Sequence, residues 1–190
     1  MVEQVKQVCR TAYWHIYNIS TIRSCLTQNA AAHLVLTQVV WLEYANALLV
    51  GLPDTLIEKL QRVQNAAARL VYRCSKRTHI TPVLKRLHWL HVRQRIRYKV
   101  LLFTFRALHG LAPEYICDLL QPYTPPRKLR SSANHDLIIP TTNLKYGSRM
   151  FSVAAPRCWN MLPRELKSTQ SLTSFKHSLK THLFQEAYDC

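Results

Sequence analysis

Acidic residues and glycine are both scarce in this chain of 190 residues. Ten Asp and Glu stand against 26 Lys and Arg, which gives a formal net charge of +16. No Asp-Asp or Asp-x-Asp sequence occurs, so the chain lacks the paired carboxylates with which polymerases and nucleases hold two metal ions. Only three glycines occur, which disfavours turn-rich all-β folds and favours helices.

Several common signals are also missing. Neither Gly-x-Gly-x-x-Gly nor a Gly-Lys-Ser/Thr loop occurs, so the sequence shows no phosphate-binding loop. The six cysteines are scattered without a Cys-x-x-Cys, and the polar N-terminus lacks the apolar core of a signal peptide. We therefore expect an intracellular protein of the nucleus or cytoplasm, not a secreted one. The most apolar stretch, residues 30–42, is shorter than the roughly 20 residues of a membrane span, so we expect no membrane partner.

Apolar residues at helical spacing predict a mainly α fold. We expect Thr27 to cap the second helix, Thr55 with Glu58 to form a capping box after Pro53, and Thr81 to cap the short helix that starts with Pro82 in its first turn. Between residues 121 and 148, Pro, Ser and Asn interrupt any helix, and residues 137–139 form a strand candidate that could pair with 149–153 as a short β-hairpin. The predicted domains are a helical domain (1–120), an extended Pro-rich arm (121–148), and a short strand with C-terminal helices (149–190). The predicted helices cover residues 4–17, 27–49, 53–71, 81–88, 92–109, 113–119, 157–166 and 173–186.

Basic residues concentrate in about a quarter of the chain. Between residues 57 and 106, thirteen of the 26 Lys and Arg stand with one acid, Glu58. Like charges crowded on helices repel one another, which indicates an anionic partner and predicts RNA or DNA binding rather than a merely solvated surface. Three aromatic residues near the cluster, Tyr72, Trp89 and Tyr98, are candidates for base stacking, although such residues are more often part of a core. The predicted nucleic-acid contacts are Arg62, Arg69, Arg73, Lys76, Arg77, Lys85, Arg86, Arg93, Arg95, Arg97, Lys99, Arg106, Arg127, Lys128 and Arg130.

No pattern of a catalytic or metal site stands out. His88 and His91, with Cys74 and His79 nearby, lack the tight four-ligand spacing of a zinc site, and Pro82 starts a helix between the pairs. A Cys–His nucleophile pair is an open alternative without local support. We expect no catalytic residue, metal or cofactor, no small-molecule substrate, and no enzyme activity of this chain by itself.

Four long segments resemble a single family. They contain the short sequences Gln-Asn-Ala-Ala-Ala-Arg, Ile-Thr-Pro-Val-Leu, Leu-His-Gly-Leu-Ala-Pro and Phe-Ser-Val-Ala-Ala-Pro. These segments, together with residues 8–19, resemble the thumb and post-thumb region of non-LTR (LINE-type, jockey-like) retrotransposon reverse transcriptases. Two departures, Glu43-Tyr-Ala-Asn46 and His91, indicate a divergent or decayed copy. The four segments are Gly51–Val71, His79–Leu120, Tyr123–Ser132 and Phe151–Phe184.

The resemblance implies a helical, thumb-like bundle that grips template–primer or element RNA and packs beside a palm domain. In that family the palm holds Mg²⁺ with a Phe/Tyr-Ala-Asp-Asp motif, which this sequence does not contain. The implied function is a non-catalytic C-terminal fragment of an RNA-directed DNA polymerase. The alternative is a domesticated nucleic-acid-binding or protein-interaction module without a polymerase role.

Overall fold

A computed structural model describes residues 1–39, 49–124, 134–144 and 146–188, except the side chains of residues 38 and 39. Within these ranges the chain is mainly helical, as predicted. The short 3-10 turns Arg23–Cys25 and Gly147–Arg149 accompany the α-helices. The helices are α1 (Val2–Ile22), α2 (Gln28–Val39), α3 (Asp54–Tyr72), α4 (Thr81–Arg86), α5 (Val92–Leu108), α6 (Glu114–Cys117), α7 (Phe151–Asn160), α8 (Arg164–Lys167) and α9 (Leu172–Tyr188).

Some predicted helix ends are confirmed. The Ala30 N–H donates to Thr27 Oγ1 over 3.2 Å, so Thr27 caps α2 as expected. Helix α5 ends at Leu108, and Gly110 follows with a φ of +66°, a left-handed conformation that glycine adopts without strain.

Two predicted caps are wrong. Helix α3 begins at Asp54 after Pro53, so Thr55 lies inside the first turn, and no side-chain hydrogen bond caps this end. Helix α4 begins at Thr81 itself, with Ile80 in the cap position. In both cases the helix starts earlier than the hydroxyl side chain suggested, and that hydroxyl no longer lies outside the helix, where a cap must be.

The predicted β-hairpin is also wrong. Residues 151–153 begin α7, and Arg149 belongs to a 3-10 turn. Leu137 forms an isolated antiparallel bridge with Pro122 instead. The side-chain amide of Asn160 accepts from the Leu137 N–H over 2.8 Å and donates to the Leu137 carbonyl over 2.9 Å. The backbone groups that a strand partner would use are therefore already satisfied.

The chain divides into two compact units, one of residues 1–95 with 187–190 and one of residues 96–186. The predicted domain limits at 120 and 148 differ from this division, and they stay predictions. Residues 125–133 of the predicted arm lie outside the described ranges. No helix in the described part of the chain is both long and apolar enough to cross a membrane. Each unit has its own buried core, which includes Val5, Val35, Leu60, Val63 and Leu84 in the first and Phe105, Trp159, Phe175, Leu179 and Leu183 in the second.

Candidate nucleic-acid interface

The side chain of Arg23 caps the carboxyl end of α3. Arg23 was not among the predicted nucleic-acid contacts. Its Nε donates to the Leu70 carbonyl over 2.9 Å, and its Nη2 donates to the Val71 carbonyl over 2.6 Å. Nη1 donates to Leu26 O over 2.8 Å. The last carbonyls of a helix have no partner within the helix, so a guanidinium that donates to two of them stabilises this end. Burial lowers the pKa of Arg23, and the nearby charge of Arg73 lowers it further.

Arg73 follows the last residue of α3 in a left-handed conformation, with a φ of +52°. Its Nη2 donates to the carbonyls of Arg23 and Ser24 over 2.7 and 3.2 Å. Arg73 was predicted to contact phosphate. In the structure one of its guanidinium nitrogens stabilises the 3-10 turn that follows α1, and the phosphate contact stays a prediction.

Two further predicted contacts are paired with acids. Arg93 Nη2 lies 2.5 Å from Asp54 Oδ1, and both side chains are well exposed. Arg97 Nη1 lies 2.6 and 2.8 Å from the two carboxylate oxygens of Glu186. The Arg97 side chain is only 18% exposed, so this pair is better shielded from water than the first. Both cations are partly neutralised within their own units.

Arg69 and Lys85 donate to main-chain carbonyls. Arg69 Nη2 reaches Thr78 O over 3.3 Å, and Lys85 Nζ reaches Tyr188 O over 3.0 Å. The first bond holds the loop between α3 and α4 against the side of α3. The second fastens the end of α9 within the first unit.

Three predicted cations on α5 are half-buried: Arg95, Lys99 and Arg106. Burial lowers the pKa of Arg95 to about 10, so its guanidinium remains charged at neutral pH. Their partial burial leaves less of each side chain accessible to a phosphate group than on the exposed cations of the first unit.

We use the name open cations for Lys59 and for the remaining described cations of the predicted set. Their side chains are exposed, and none makes a hydrogen bond or ion pair within the described ranges. All belong to the first unit. The predicted contacts Arg127, Lys128 and Arg130 lie outside the described residues. The open cations are Lys59, Arg62, Lys76, Arg77 and Arg86.

Four of the open cations lie along or beside α3. At 3.6 residues per turn, Lys59, Arg62 and Arg69 fall within an arc of about 80°, on the side away from the buried Leu60. They extend over roughly 15 Å of helix. The Arg69–Thr78 hydrogen bond then brings the loop that carries Lys76 and Arg77 back to this side of the helix. The result is a basic strip along one helix and the loop that follows it.

Aromatic residues with good access were missed by the sequence prediction. The predicted stacking residues Tyr72, Trp89 and Tyr98 are all half-buried. Among the described residues of the first unit, the exposed aromatic side chains lie instead on α1, where Trp14 is 60% and Tyr17 67% exposed. A helical projection of α1 could have found them, because they lie opposite the face that carries the regularly spaced apolar residues.

The described residues do not offer a metal site. No group of three or more His, Cys, Asp or Glu side chains there is arranged to hold an ion. The Mg²⁺ that the palm of the resembling family holds therefore has no matching ligand set in the described ranges.

No protein-family model, curated protein or solved structure matches this chain. The resemblance to LINE-type reverse transcriptases therefore depends on the sequence segments alone.

Proposed function

We propose that this chain is a nucleic-acid-binding, non-catalytic piece of a LINE-type reverse transcriptase, and that its open cations contact the phosphate backbone of template–primer or element RNA. One observation carries the proposal: five exposed cations of one compact unit make no ion pair within the described ranges. The formal charge of +16 gives the chain a strong attraction for any polyanion. The family assignment comes from the resembling segments.

Phosphate contact fits the chemistry of these side chains. The guanidinium groups of Arg62, Arg77 and Arg86 match two phosphate oxygens at once, and lysine acts as a mobile point charge. Contacts to phosphate position a protein on a duplex without reading its bases. We therefore expect affinity for many sequences, as a grip on a moving template–primer requires.

The proposal separates two classes of cation. Arg23, Arg73 and Arg97 donate to carbonyls or a carboxylate within the protein, and their principal effect is on stability. Arg62 and Arg77 make no such side-chain contact with described residues, and their principal effect is on binding. Substitutions in the two classes should therefore change different measurements.

Two variants with equal charge test the binding surface. Arg62→Gln/Arg77→Gln/Arg86→Gln removes three open cations, and Arg157→Gln/Arg164→Gln/Lys180→Gln removes three exposed cations of the other unit. Fluorescence anisotropy with a labelled RNA–DNA hybrid at 50 mM salt gives the affinities. We expect the first variant to bind at least about tenfold more weakly and the second to change less than about threefold. Equal losses would mean that net charge alone matters, and absence of wild-type binding would contradict the proposal outright.

The family part of the proposal has its own test. The genomic sequence upstream of the Met1 codon either continues as a frame that encodes a Phe/Tyr-Ala-Asp-Asp palm or does not. A palm-coding frame, intact or interrupted, supports an origin in a retrotransposon. An unrelated upstream exon joined to this one in the transcript would contradict the fragment hypothesis and favour a domesticated module.

A further inference from the structure

The outward face of α1 carries three exposed aromatic side chains that the proposed phosphate contacts do not use. Tyr13 is 45%, Trp14 60% and Tyr17 67% exposed. We propose that this face stacks on the unpaired bases of a nucleic-acid single strand. This inference rests on the proposed function and extends it, because it specifies that a second surface of the first unit binds nucleic acid in its single-stranded form.

The position of these side chains follows from the packing of α1. Val5, Ala12 and Ile19 are buried and recur every seven residues, which places them on one face of the helix. At 100° per residue, Tyr13, Trp14 and Tyr17 point roughly 80° to 180° away from that face. They are therefore directed outward by the same packing that buries the apolar stripe.

The chemistry of this face favours a nucleic acid over an apolar groove on another protein. From residue 6 to residue 17 its exposed side chains are Lys6, Gln7, Arg10 and the three aromatic residues, without an aliphatic group among them. Glu3, the one acid of α1, is paired with Lys6 over 3.1 Å. Arg10 is exposed and makes no ion pair with a described residue. Aromatic rings interleaved with cations complement a strand that offers base faces and phosphates together.

The spacing of the three aromatic rings on α1 favours binding of an unpaired strand. Tyr13 and Tyr17 are four residues apart, about 6 Å along the helix, and Trp14 lies beside them. Rings on one helix face can each stack on a base only if the strand is open, because the bases of a duplex are already stacked on one another. Stacking also tolerates any base, since each has a π face. We therefore expect binding to single strands of many sequences.

The experiment compares two ligands and three variants. Full-length protein is titrated into labelled dodecamers of uridine and into a hairpin duplex of equal strand length, at 100 mM salt. Trp14→Ala/Tyr17→Ala should weaken single-strand binding at least about tenfold and change duplex binding less than about twofold. Trp14→Phe/Tyr17→Phe keeps the rings and should restore the wild-type affinity to within about threefold. Leu36→Ala on α2, a 42% exposed apolar residue, is the matched control and should change neither.

Each other outcome identifies what failed. Wild-type protein that binds neither ligand overturns the proposed function and this inference with it. Wild-type protein that binds the duplex, with single-strand affinity unchanged by the double alanine variant, overturns the inference alone. An alanine variant that becomes monomeric while the wild type self-associates, with single-strand binding unchanged, assigns the face to protein contact and also overturns it. Circular dichroism melting of each variant shows that the comparison is made between folded proteins.

Discussion

Arg23 and Arg73 each donate hydrogen bonds to the main chain beside the other. Arg23 reaches the carbonyls of Leu70 and Val71 at the end of α3, and Arg73 reaches the carbonyls of Arg23 and Ser24. Two like charges are thereby held close together, and the charge of Arg73 contributes to lowering the pKa of Arg23. The surrounding carbonyl dipoles offset this repulsion. Part of the high arginine content therefore stabilises the fold itself.

Arg23→Met should lower the free energy of unfolding by about 3 kcal/mol, because it removes charge-assisted hydrogen bonds to two carbonyls and leaves the Val71 carbonyl without its guanidinium donor. Urea denaturation followed by circular dichroism measures this value. Arg10→Met, at an exposed position of α1, is the control and should change it by less than about 0.5 kcal/mol. Equal effects of the two substitutions would contradict the role assigned to Arg23.

Arg73 offers a test of backbone conformation. Its φ of +52° is unfavourable for residues with a Cβ and ordinary for glycine. Both Arg73→Ala and Arg73→Gly lose the hydrogen bonds to the 3-10 turn. The difference between their free energies of unfolding therefore reports the cost of the left-handed backbone conformation at residue 73. We expect the glycine variant to be the more stable of the two by about 1 kcal/mol in urea denaturation. An alanine variant as stable as the glycine variant would show that residue 73 does not hold the left-handed conformation.

The Arg97–Glu186 pair should contribute to stability and not to binding. A double-mutant cycle with Arg97→Ala and Glu186→Ala should give a coupling energy of about 1–2 kcal/mol, between the values of exposed and buried pairs, because Arg97 is shielded and Glu186 is more open. The salt dependence of nucleic-acid binding should be the same in Arg97→Ala as in the wild type. A slope that falls by about one unit would assign Arg97 to phosphate contact instead.

His91 should make stability depend on pH. Burial lowers the pKa of its imidazole from the usual 6.5, with the ring of Tyr188 4.9 Å away. The unfolded chain therefore binds a proton at a higher pH than the folded chain does. Its stabilising contribution is complete above 6.5 and is lost as the pH falls from there towards the lowered pKa. The difference in urea midpoint between pH 7.5 and pH 5.5 should shrink in His91→Gln, and an unchanged difference would contradict the assignment.

The sequence predicted the helices well because apolar spacing is a local property. The extent of α3, the Thr27 cap and the Gly110 stop all follow from residues within one or two turns. Helix α1, which spans Val2–Ile22, extends well beyond the predicted 4–17. The hairpin failed because the partner of Leu137 is the amide of Asn160, which lies 23 residues away in sequence and belongs to a helix. No local sequence pattern indicates such a contact.

The candidate site was predictable only as a set of charges. Sequence position does not distinguish Arg62, which is open, from Arg73, which donates to carbonyls 49 and 50 residues away. That distinction depends on how α1 and α3 pack. The exposed aromatic face of α1 was within reach, because the alternation of buried and exposed residues along a helix follows from its period.

The salt dependence of binding tests the central claim most directly. The logarithm of the association constant for an RNA–DNA hybrid is measured against the logarithm of salt concentration between 50 and 300 mM. If the five open cations each neutralise one phosphate, the wild-type slope should be about −4.5, since each contact contributes about −0.9. Replacing Lys59, Arg62, Lys76, Arg77 and Arg86 by glutamine should bring the slope close to zero. A wild-type slope near zero, or a slope that the five substitutions leave unchanged, would contradict the account.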